Sequence, residues 1–103
     1  MKPKYIGQFD SPESVFKQFE VETPPKGAKI LIAAYTYEDY SGAAFVLYKQ
    51  GGKLFEVNGW HCSCYGLEGQ WEPEETTKAA LKLRDFTYEP WAVEVKAAIE
   101  ELR

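Results

Sequence analysis

Only two cysteines, one histidine and one methionine occur in 103 residues, and the cysteines, Cys62 and Cys64, stand one residue apart. Small secreted domains usually carry four or more cysteines as a stapling framework. A bridge between Cys62 and Cys64 would close almost no loop, so it would stabilise little and strain its own geometry. Reduced or metal-bound thiols in a cytoplasmic setting are therefore expected. Hydrophobic runs are also short. The longest, Ile30 to Tyr35 and Ala43 to Tyr48, have six residues each, against about 20 for a membrane-spanning helix. The opening Met1-Lys2-Pro3-Lys4-Tyr5 lacks the apolar segment of a secretory leader. Basic charge is scarce: 12 Lys and Arg face 16 Asp and Glu, a net charge of −4. That balance disfavours nucleic acid and anionic membranes as partners.

What is present describes a globular chain. Hydrophobic residues make up 45% and charged residues 27%, enough apolar surface for a core. Aromatics reach 16%, and each buries about 150–250 Å², so a stable core is within reach without disulfides. The length suits one domain, residues 1–103.

Ser11-Pro12-Glu13 reads as a helix start, with Ser as N-cap, Pro at the first position and an acid in the first turn. Val15, Phe16 and Phe19 give that helix an apolar face. Pro24-Pro25 and Gly27 mark a linker. Lys29 to Tyr37 reads as a central strand, with Ile30, Ile32, Ala34 and Thr36 on one face and Leu31, Ala33, Tyr35 and Tyr37 on the other. Ala43 to Gln50 and Lys53 to Trp60 read as two more strands joined by Gly51-Gly52, a two-residue hairpin signal. That turn pairs Tyr48 with Phe55, Val46 with Val57 and Ala44 with Gly59 on an apolar face. It pairs Lys49 with Leu54, Leu47 with Glu56 and Phe45 with Asn58 on a mixed one. The apolar face is expected to lie under the helices. Phe45 and Leu47 on the second face would suit a homodimer.

Pro73-Glu74-Glu75 reads as the start of a second helix running to about Arg84, with Glu74 and Lys78 at i,i+4 spacing. Pro90 opens a third, in which Trp91, Val95, Ala98, Ile99 and Leu102 form one stripe. The fold class is thus α+β: a three-stranded antiparallel meander, with Tyr5-Ile6 offering a fourth edge strand, an N-terminal helix, and two C-terminal helices packed mainly on one face.

Trp60 to Pro73 concentrates the unusual chemistry. It holds both cysteines, the histidine and two of the three tryptophans, and from Leu54 to Thr77 five glutamates stand without a single Lys or Arg. His61, Cys62 and Cys64 are zinc-ligand types, with Glu68 or Glu72 as a fourth. Against a zinc site, Cys-x-Cys is shorter than structural zinc spacing and no second cysteine pair exists. A thiol enzyme lacks the local cation that would lower a cysteine pKa, and the surrounding carboxylates would raise it. The preferred reading of Cys62 and Cys64 is as small buried residues, with Trp60, Tyr65 and Trp71 packed beneath a glycine-shaped loop and His61 capping a backbone group. A rigid loop of this kind is also a recognition surface, with Tyr65, Glu68 and Trp71 as contacts. Tyr37, Glu38, Asp39 and Tyr40 form a second candidate contact, since Tyr offers large area at low entropy cost.

The stretch His61 to Trp71, His-Cys-Ser-Cys-Tyr-Gly-Leu-Glu-Gly-Gln-Trp, followed by Pro73 to Thr77, resembles a stretch found in a group of small phage- and prophage-encoded proteins. The resemblance implies a bacterial host cytosol during infection or lysogeny, and a protein that binds a host or defence component. It implies no activity. The expectation is a non-enzymatic protein-binding module, a phage accessory or host-directed inhibitor, with no cofactor. The alternative is a zinc-binding protein, structural or catalytic, that uses His61, Cys62 and Cys64.

Overall fold

The computed structural model describes residues 2–36, 41–62, 65–86 and 89–102. Among them, the elements in chain order are β1 (Lys4–Gly7), α1 (Pro12–Gln18), β2 (Lys29–Tyr35), β3 (Gly42–Gln50), β4 (Lys53–His61), β5 (Glu74–Thr76), α2 (Lys78–Leu83) and α3 (Ala92–Glu100). The class is α+β. The sheet is larger than the expected meander: its order is β1-β2-β3-β4-β5, with β1 parallel to β2 and the remaining pairs antiparallel.

The β3–β4 hairpin has the register that a two-residue Gly51-Gly52 turn dictates. Tyr48 lies opposite Phe55, Val46 opposite Val57 and Leu47 opposite Glu56. Both turn glycines have positive φ, 59° and 78°, as turns that match strand twist require. Strand β2 departs from simple alternation. Its register against β3 shifts between Ile30 and Ile32, so Leu31 is the extra residue of a bulge. As a result Ile30 joins Ala33 and Tyr35 on one face, and Leu31 joins Ile32 and Ala34 on the other.

The helices cover both faces rather than mainly one. Two adjacent parallel strands need a crossover, and α1 supplies it between β1 and β2. Its buried Val15, with Phe19 at its C-cap, packs on Ala44, Val46, Tyr48 and Val57. Ser11 caps the helix: Ser14 N–H donates to Ser11 Oγ at 3.1 Å, and Ser11 N–H donates to Ser14 Oγ at 3.1 Å. The face expected to be mixed, around Phe45 and Leu47, lies under Leu81 of α2, under Val95, Ala98 and Ile99 of α3, and under Trp91 and Leu102, which flank α3. Phe45 and Leu47 are fully buried, which removes this face as a homodimer surface. Both faces of β2 and β3 are apolar, so each requires its own cover.

The second helix begins later than Pro73. Glu74–Thr76 forms β5, with Leu54 opposite Thr76 and Glu56 opposite Glu74. Helix α2 starts after Thr77, whose side chain accepts from Ala80 N–H at 3.1 Å. Thr is a good N-cap and Glu72, the residue before Pro73, is not. Pairing β5 with β4 also satisfies an edge that would otherwise be open.

Candidate functional site

Strand β4 carries the chain out of the hairpin to Trp60 and His61, where the two side chains part to opposite faces. His61 turns inward. It is buried, meets the Tyr35 ring edge-on with centroids 5.3 Å apart, and its Nδ1 lies 3.4 Å from the Cys62 carbonyl oxygen. Trp60 turns outward and is 49% exposed; Tyr65, 51% exposed, meets it edge-on at 6.3 Å. These two rings were expected to pack beneath the loop, and they instead stand on the surface.

Gln70 holds this arrangement. Trp60 N–H donates to Gln70 Oε1 at 2.8 Å, and Gln70 Nε2 donates to the carbonyls of Trp60 at 2.6 Å and Gly66 at 2.8 Å. One amide thus replaces a missing strand neighbour at the end of β4, a role that needs its fixed donor and acceptor pair. Two more bonds shape the loop: Cys62 N–H to the Tyr65 carbonyl at 3.1 Å, and Gly66 N–H to Glu68 Oε1 at 3.2 Å. Leu67 plugs the loop into the α1-side core.

Trp71 does pack inward. Its ring stacks on Tyr48 at 5.8 Å, with an interplanar angle of 10°, and meets Phe16 and Phe19 edge-on. It is half-buried, so the loop's outward aromatic surface comes from Trp60 and Tyr65. Glu68 is exposed. Tyr37, Glu38, Asp39 and Tyr40 lie outside the described residues, as does Cys64. Cys62 is half-buried. Among the described residues no three His, Cys, Asp or Glu side chains are grouped so as to hold a metal ion, and the His61, Cys62 and Cys64 set includes one residue outside them. No helix among the described residues is long and apolar enough to cross a membrane.

Trp60 also rims a groove of about 360 Å³. Ala43, Ala44, Asn58 and Gly59 line it from the sheet. Phe86 and Trp91 line it from the connection between α2 and α3, together with Arg84, Asp85 and Glu89. Trp91 is fixed there by its indole N–H, which donates to the Ala43 carbonyl at 3.2 Å.

At one end of the groove sits an ion pair between a buried carboxylate and a half-buried guanidinium. Arg84 grips Glu56 with both arms, Nη1 to Oε1 at 2.7 Å and Nη2 to Oε2 at 3.0 Å, and Asn58 donates to Glu56 Oε1 at 2.8 Å. Burial pushes the Glu56 carboxyl up. Hydrogen bonds from Arg84, Asn58 and Thr76, with the Arg84 charge, outweigh it and hold the carboxyl below its ordinary value. The Glu56 hydrogen bond in turn raises Arg84 against the opposing effect of burial.

The sequence reading missed Trp60, Gln70 and the Arg84–Trp91 connection as parts of a site. Trp60 was within reach, because the hairpin register already puts it on the Asn58 side of β4, two residues from the last polar position there. The connection was not, because its approach to β3 and β4 is a tertiary event. No protein-family model, curated protein or solved structure matches the chain.

Proposed function

We propose that this protein is a non-enzymatic binding module that acts by protein–protein contact, with the Trp60–Tyr65 surface and its adjoining groove as the contact. The supporting observation is two large aromatic rings, each about half exposed and packed edge-on, on a loop whose backbone Gln70 ties at Trp60 and Gly66. Exposed, pre-ordered aromatics are the usual anchors of protein interfaces, because they bury much area at little entropic cost. The resemblance of His61 to Thr77 to phage proteins supports a phage accessory or host-directed inhibitor that meets its partner in bacterial cytosol. The Tyr37–Tyr40 segment is a further proposed contact.

Affinity capture from bacterial lysate tests this reading. The wild-type chain is expected to retain a partner that a Trp60→Ala/Tyr65→Ala variant loses while its circular dichroism stays native. A partner held equally by both, or turnover that disappears in Cys62→Ala or His61→Ala with the fold intact, would overturn it. Elemental analysis of protein never exposed to chelator tests the zinc alternative.

A further inference from the structure

We infer that the groove beside Trp60 receives a lysine or arginine side chain from a basic segment of the partner protein; this rests on the binding reading above and names its chemistry. Three observations converge. First, Trp60 offers a half-exposed indole at the rim, and indole is the best aromatic face for a cation. Second, Glu89 lines the same groove, and Arg84, the one cation among its described lining residues, has its charge matched by the bidentate Glu56. The lining is therefore formally acidic beyond that pair. Third, besides Glu56, paired with Arg84, and Glu75, paired with Lys53, the loop after β4 and β5 contribute Glu68, Glu72 and Glu74, with no Lys or Arg between Leu54 and Thr77, so the field around the rim attracts positive charge.

The size agrees. At about 360 Å³ the groove lies near the lower end of small-molecule sites, about 300–1,000 Å³. It admits one or two side chains rather than a folded element. The protein already holds a guanidinium in this way, since Arg84 lies over the Phe86 ring at 6.0 Å while a carboxylate grips its edge. An incoming cation would meet the same pair of contacts: an aromatic face from Trp60 and a carboxylate from Glu89.

The test is an NMR titration of the full chain with the peptide Ac-Gly-Arg-Arg-Gly-NH2, beside its citrulline and glutamate counterparts. Saturable shifts at the Trp60 indole N–H and the Glu89 amide are expected with the arginine peptide only. They should weaken about threefold to tenfold in Trp60→Leu and in Glu89→Gln, and further as salt rises. Equal response to the citrulline peptide, a response to the glutamate peptide, or no saturable response would overturn the inference. Capture separates the two levels. A partner that is lost in Trp60→Ala/Tyr65→Ala but is not displaced by the arginine peptide leaves the binding reading standing and removes the cation. Failure to retain any aromatic-dependent partner removes the binding reading itself.

Discussion

Glu56 takes its behaviour from neighbours far away in sequence. Its side chain is 5% exposed, and a carboxylate in such a place is tolerable only while its donors are present. Removing one partner of a buried pair costs about 3–5 kcal/mol. Arg84 is more open, at 38%, so Arg84→Met is expected to cost about 2–3 kcal/mol at pH 7, measured by urea unfolding. The pH dependence follows from the direction of the shift. In wild type the folded carboxyl lies below its unfolded value of about 4.5. The pair therefore stabilises fully above pH 4.5, and that contribution is lost as pH falls through the folded value. Arg84→Met leaves the burial without the cation, so its deficit relative to wild type should shrink on acidification. A deficit independent of pH would mean that the pair matters only through packing. Gln70→Ala removes three hydrogen bonds at about 0.5–1.5 kcal/mol each. Its signature is faster amide exchange at Trp60, ahead of exchange in the centre of β3.

At the scale of elements, the sheet edges and the caps decide where structure stops. The outer strands are short, four residues in β1 and three in β5, and β5 carries Glu74 and Glu75. Short, charged edges resist pairing with another chain. Gly7, at the end of β1, has φ +73°, and a Cβ there would lie 2.1 Å from the Tyr35 carbonyl oxygen. Gly7→Ala is expected to destabilise by at least about 2 kcal/mol, combining left-handed strain with a backbone clash. Thr77→Ala should cost about 1 kcal/mol by loss of the cap. In both cases denaturant midpoints with unchanged m-values give the measurement. The N-terminal helix was legible because its signals are local: Ser11, Pro12, and Val15, Phe16 and Phe19 in register. The start of α2 was not, because Pro73-Glu74-Glu75 satisfies local helix rules while β4 offers the same residues a strand partner. Long-range pairing outweighed propensity there.

For the whole molecule, the central fact is one sheet with a core on each side. Phe19 and Val46 belong to the α1 side, Phe45 and Ile99 to the α3 side. Both cores share β2 and β3, so neither is expected to survive alone. Phe19→Ala and Ile99→Ala should each cost about 2–5 kcal/mol, and each should lower a single unfolding midpoint seen identically by fluorescence and circular dichroism. Two separated transitions would show that the faces unfold independently.

The candidate site divides along the same line. That the Trp60–Trp71 segment is a shaped loop rich in aromatics was readable from its glycines, its tryptophans and its lack of cations. Which rings face water was not, because Trp60 and Trp71 differ in what lies opposite them: the half-exposed Tyr65 for one, and Tyr48, Phe16 and Phe19 for the other. The sequence alone determined the hairpin register, the first cap and the α3 stripe, since each depends on residues within a few positions of one another. Only the tertiary structure decided the bulge at Leu31, the helices on both faces, the Arg84 grip on Glu56 and the groove beside Trp60. Each of those depends on segments brought together by burial, and burial is indifferent to distance along the chain.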